Sequence, residues 1–221
     1  MSTRKGNNIS VENGELPFDA YFVESENSNK GLIIIQEWWG LVDHIRDVAD
    51  RFNLRGFNTI APDLYSGKQT DEPSVAQKYM MELNVESAMK NLRSSIEILN
   101  EKGIDRIASL GFCMGGGISL YAASINIVDS AVSYYGVLPN ATVEYEKIKC
   151  PIQGHYAEHD GATESVKDIE NILNANGVYN NFNIYKGTSH AFFNNEREEV
   201  YDKTSADLSF ERTIEFLESH I

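Results

Sequence analysis

The sequence predicts an α/β fold with a mostly parallel central sheet and helices on both faces. Two observations carry that prediction. Short apolar runs alternate with amphipathic segments along most of the chain, as strand and crossover helix must in a parallel sheet. The run Gly31-Leu32-Ile33-Ile34-Ile35-Gln36 is apolar throughout its centre, without alternation, which suits a strand covered on both faces.

The remaining elements follow in order. After the Gly31–Gln36 strand, Leu41, Ile45, Val48 and Phe52 recur at helical spacing, and Gly56 is placed to end the helix. Phe57–Ala61 is the next strand, stopped by Pro62. Residues 66–74 are polar and read as a surface loop. Asn84 is a good N-cap for a longer helix that presents Val85, Met89, Leu92, Ile96 and Leu99 on one face, closed by Gly103. A strand ending at Leu110, a helix over Met114–Ser124 and a strand over Ser130–Tyr134 come next. Cys150–Tyr156 reads as a strand, and Thr163 caps a helix that buries Val166, Ile169 and Leu173 before Gly177. Asn181–Tyr185 is the last strand, and the final helix carries Leu208, Ile214 and Leu217.

Composition bounds the possibilities. The chain has 221 residues, 42% hydrophobic and 24% charged, which suits one domain over 1–221 with a flexible lead at 1–10. No apolar run approaches the ~20 residues of a membrane helix. The first residues lack the apolar stretch of a signal peptide, and two cysteines make no disulfide framework, so a cytoplasmic protein is expected. A net charge of −14 argues against nucleic acid and anionic membranes as partners. No C-x-x-C spacing occurs, and His155, four residues before His159, lies within a strand instead of on a helix face, so no metal or cofactor is expected. The expected assembly is a monomer, with a weak homodimer as the alternative.

The chemistry concentrates at Gly111-Phe112-Cys113-Met114-Gly115-Gly116-Gly117, directly after an apolar strand and before a helix. This is the G-x-nucleophile-x-G elbow of α/β-hydrolases, with cysteine where serine is usual. A sharp strand-to-helix turn strains the nucleophile's backbone, and residues without Cβ must crowd it on both sides. The turn lifts the sulfur to the N-terminus of the following helix, where unpaired N–H groups favour a thiolate.

A nucleophilic thiol needs a base, and the base needs a third group to orient it. In this fold the chain order is nucleophile, acid, histidine. Asp160 follows the Cys150–Tyr156 strand, and His190 follows the Asn181–Tyr185 strand. Both fall at carboxyl ends of strands, where open sheets of this kind build their sites. His44 opens a helix, His155 lies within a strand, and His220 sits at the end of the chain. His159 adjoins Asp160, so those two side chains point apart.

With these residues in place the chain closely resembles the dienelactone hydrolase family, from about Phe18 to the final helix. The matching motifs are Gln36-Glu37 with Gly40, Pro62-Asp63-Leu64-Tyr65, Gly111 through Gly116, Tyr134-Tyr135-Gly136, Pro151 through Asp160, and His190-Ala191-Phe192. The resemblance implies a Cys-Asp-His triad at Cys113, Asp160 and His190. It implies an oxyanion hole made by the backbone N–H groups of Trp38 and Met114. It also implies that Glu37 lies beside the resting thiol and moves when substrate binds, so that its carboxylate restrains Cys113 until then. Trp39, Tyr135, Phe192 and Asn194 are candidate pocket residues, and Trp38 and Trp39 read equally well as core aromatics.

One departure bears on substrate. Family members that open dienelactones hold the substrate carboxylate with arginines, one of them four residues past the histidine, where this chain has Asn194. The segment 72–77 before the long helix also lacks the other arginine. Arg197 is expected to face solvent, within the acidic run Glu196-Arg197-Glu198-Glu199. The sequence therefore predicts a hydrolase of small-molecule carboxylic esters or lactones working through a covalent acyl-enzyme. A broad carboxylesterase or thioesterase, or an idle ligand-binding homologue, stands as the alternative.

Overall fold

The structure, a computed structural model, describes residues 4–14, 16–26 and 28–221. Among these, eight strands form one sheet: β1 (Asn7–Val11), β2 (Phe18–Val23), β3 (Lys30–Ile35), β4 (Asn58–Pro62), β5 (Arg106–Phe112), β6 (Ser130–Tyr134), β7 (Ile152–His159) and β8 (Asn180–Ser189). Their spatial order is β1-β2-β4-β3-β5-β6-β7-β8. β1 and β2 run antiparallel to their neighbours, and β3 to β8 are mutually parallel. The helices are α1 (Asp43–Asn53), α2 (Pro73–Glu82), α3 (Val85–Glu101), α4 (Met114–Ser124), α5 (Val166–Ala175) and α6 (Lys203–His220). None is long and apolar enough to cross a membrane.

The unbroken apolar run of β3 has its explanation in the two cores. Leu32 and Ile34 pack under α1 and α6 with Ile45, Phe52, Phe210 and Leu217. Ile33 and Ile35 face the opposite core, where α3, α4 and α5 contribute Met89, Ile118 and Leu173. Each of these β3 side chains is fully buried, and each contributes about 2 kcal/mol of apolar transfer energy. Asn84 caps α3 as expected, its side chain accepting from Ser87 N–H at 3.0 Å.

Three local expectations are corrected. β1 lies inside the segment expected to be a flexible lead, although residues 1–3 fall outside the described residues; β1 and β2 both precede the first strand read from sequence. α2 begins within the stretch read as loop. It buries only Ala76, so it carries no apolar stripe, and Pro73 at its first turn is its one sequence signal. Thr163 does not cap α5. Residues 161–165 form a 3₁₀ turn capped by Asp160, while Thr163 Oγ1 donates to Ala157 O at 2.6 Å.

Candidate active site

Five parallel strands deliver the site to one edge of the sheet. Glu37 follows β3, Cys113 follows β5, Tyr135 follows β6, Asp160 follows β7 and His190 follows β8. The turn at Cys113 is as tight as its glycines imply. A Cβ on Gly111 would lie 1.9 Å from Gly115 O, and one on Gly115 would lie 2.4 Å from Ile35 O. Cys113 itself has φ +53 and ψ −119. Backbone bonds hold this strained residue on all sides: its N–H donates to Tyr134 O at 3.0 Å, and its carbonyl accepts from Gly116, Gly117 and Val137. Tyr135 and Ala191, also with positive φ, lie at the ends of the neighbouring strands.

His190 links Cys113 to Asp160. Its Nδ1–H donates to Asp160 Oδ2 at 2.7 Å, which leaves Nε2 to serve Cys113, and the two residues line the same cavity. Burial works to lower the pKa of His190. Its hydrogen bond to Asp160 and the influence of Asp160 and Cys113 on the charged ring outweigh that, and raise it to about 10. Burial conversely works to raise Asp160, but His190 and the Ala162 N–H hold it below its ordinary value. Near neutral pH the pair is therefore an imidazolium on a carboxylate.

Glu37 is 1% exposed. Burial pushes its pKa up to about 7, against the hydrogen bond from Asn194 and the charges of His190 and Arg197. Asn194 Nδ2 donates to its Oε2 at 2.7 Å. The carboxylate thus rests on Asn194 while Cys113 engages His190. No acceptor among the described residues takes the backbone N–H of Trp38 or of Met114, both beside the thiol.

Cys113, His190, Glu37, Trp38 and Trp39 line a cavity of about 210 Å³, closed by Met80, Val137, Ala191 and Arg197. Trp39 and Arg197 also line a neighbouring cavity of about 340 Å³ that contains Asn194, Asp71, Glu196 and Glu199. Arg197 corrects an expectation: its guanidinium lies 5.4 Å over the Trp39 ring, and its Nε donates to Glu199 at 2.8 Å. The run 196–199 lies in turns after β8. Two pocket candidates are corrected as well. Phe192 is fully buried against Tyr134, Tyr135 and Tyr185 and belongs to the core, and Tyr135 is fully buried behind the cavity wall. The pattern gave no signal for Met80, because α2 shows no stripe.

A mostly parallel eight-stranded sheet with a tight strand-to-helix elbow of this kind defines an α/β-hydrolase. The sequence profile of the dienelactone hydrolase family matches residues 18–221, and the chain belongs to that family. It is 32% identical to Protein usf of Aquifex pyrophilus, covering 98% of this chain and 99% of that one. It is 28% identical to a provisionally named carboxymethylenebutenolidase of Aquifex aeolicus, again covering 98% and 99%. Its fold is shared with a provisionally named dienelactone hydrolase of Klebsiella pneumoniae, with TM-score 0.88, 23% identity, and 97% and 98% of the two chains covered.

Proposed function

We propose that this protein hydrolyses carboxylic esters and lactones through a thioester intermediate on Cys113. The observation that carries the reading is the His190–Asp160 hydrogen bond at 2.7 Å, with His190 and Cys113 lining one cavity. The name carboxymethylenebutenolidase given to a relative of matching length supports a lactone among the substrates.

With the proton of the pair held on His190, the Cys113 thiolate attacks the carbonyl carbon. The oxygen then gathers charge between the Trp38 and Met114 N–H groups, which no other acceptor occupies. The imidazolium of His190 gives its Nε2 proton to the departing alkoxide as the C–O bond breaks, and Asp160 keeps the ring oriented. The neutral imidazole next takes a proton from water. The resulting hydroxide adds to the thioester, and collapse frees the acid and restores the sulfur. Glu37 restrains the thiol in one arrangement and, resting on Asn194, releases it in the other. A p-nitrophenyl ester, assayed with and without prior iodoacetamide treatment, tests the reading. Turnover that alkylation of Cys113 abolishes is expected; unchanged turnover overturns it.

A further inference from the structure

Tyr135 leaves β6 with φ +39, a backbone conformation uncommon for a residue with so large a side chain. Its N–H donates to His155 O at 2.7 Å, and its ring centroid lies 4.9 Å from that of His190 and 5.6 Å from that of Phe192. The residue is 0% exposed. Its hydroxyl nevertheless has no hydrogen-bond partner among the described residues. A buried hydroxyl without a partner is costly, and one in a strained turn beside a reactive group calls for a functional reason. Burial raises the pKa of that hydroxyl, and the charges of Glu37, Cys113, Tyr134 and Asp160 add to this, Glu37 first among them; Glu37 lines the same cavity as His190, whose ring Tyr135 contacts.

We infer that the Tyr135 hydroxyl is a positioning donor for Glu37, taking the carboxylate when that side chain leaves Asn194 and turns towards the Cys113 thiol. This rests on the reading of Glu37 given above and adds the group that decides between its two arrangements. Asn194 holds the permissive one, as observed at 2.7 Å. Tyr135 holds the restraining one, and its hydroxyl is orphaned in the structure because Glu37 is on Asn194.

The test is the rate at which iodoacetamide alkylates Cys113 in the ligand-free full chain. Tyr135→Phe is expected to speed alkylation several-fold, as Glu37→Ala does, and Asn194→Ala to slow it. In a Glu37→Ala background Tyr135→Phe is expected to add nothing. The Tyr135→Phe effect should grow between about pH 6 and about pH 8, because the ionised Glu37, with its pKa pushed up to about 7, accepts the hydroxyl more strongly than the protonated acid does. His190, Arg197 and Glu196 are the other charged groups acting on Glu37, and His190, raised to about 10, keeps its charge through that window. The thermal midpoint of Tyr135→Phe should stay close to that of the parent, since the bond lost in the restraining arrangement is offset by removal of a buried hydroxyl that has no partner while Glu37 rests on Asn194. A Tyr135→Phe rate equal to the parent's, with Glu37→Ala still faster, overturns this inference alone. An unchanged rate in Glu37→Ala overturns the reading of Glu37 and the inference with it. A rate change independent of pH and accompanied by a lower midpoint assigns the hydroxyl to packing and overturns the inference.

Discussion

His190 keeps its proton through neutral pH because two neighbours favour the charged ring more than burial opposes it. In the proposed mechanism its service as acid to the leaving group would therefore persist until the pH approaches about 10, where kcat/KM is expected to fall. Replacing Asp160 by Asn removes the anion that favours the charged ring, so the alkaline limb of the pH profile should move to lower pH. A limb that stays in place would assign the orienting role to another acid. Glu37 makes an opposite contribution at the same edge. Its folded-state pKa of about 7 lies above the ordinary 4.5. Below about pH 4.5 it is protonated in both states and costs nothing; between 4.5 and 7 the unfolded chain releases its proton first, so stability falls as pH rises. The full cost above pH 7 is on the order of 3 kcal/mol. Glu37→Gln should accordingly raise the thermal midpoint more at about pH 8 than at about pH 5. Equal gains at the two pH values would mean that the carboxyl titrates normally.

The elbow depends on two adjoining elements coming closer than any side chain allows. Gly115→Ala would place a Cβ 2.4 Å from Ile35 O and 2.5 Å from Gln36 O, forcing α4 away from β3. A loss of about 4 kcal/mol or more in urea unfolding is expected, at the far end of what single substitutions cost. Gly161→Ala, where a Cβ meets nothing within 4 Å, should stay within about 0.5 kcal/mol. Comparable losses at both positions would contradict this account of the turn. The elbow was legible in the sequence because glycine at these spacings has few other uses, and β3 was legible because both of its faces are buried. β1 was not, since it is an edge strand whose one buried residue is Val11. α2 escaped notice for want of a stripe, and Met80 with it. Asp160 and His190 could be placed from chain order alone. That Arg197 turns back over Trp39, and that Tyr135 lies behind the cavity instead of in its wall, depends on loop paths that no periodicity encodes.

Charge across the whole molecule shapes substrate choice. The chain carries −14, and the cavity that adjoins the thiol's own, across Trp39 and Arg197, is lined by Asp71, Glu196 and Glu199, with Arg197 already committed to Glu199. An anionic substrate meets long-range repulsion and a guanidinium that must first exchange one carboxylate for another. The neutral methyl ester of a carboxylate-bearing dienelactone should be preferred to the acid by roughly tenfold in kcat/KM at low salt. Added salt and Glu199→Gln should each narrow that ratio, the first by screening and the second by freeing Arg197. A preference for the acid in the unmodified protein would show that Arg197 leaves Glu199 readily to hold the substrate carboxylate.

Intact-mass and peptide mapping after rapid mixing with p-nitrophenyl acetate tests the covalent route directly. The mechanism predicts one acyl group per chain, carried on the peptide that contains Cys113, appearing with a burst of p-nitrophenol and disappearing as turnover ends. Cys113→Ala should show neither adduct nor burst, and its turnover should fall by orders of magnitude. Near-parental turnover in Cys113→Ala, or an acyl group mapped to any other residue, would contradict it.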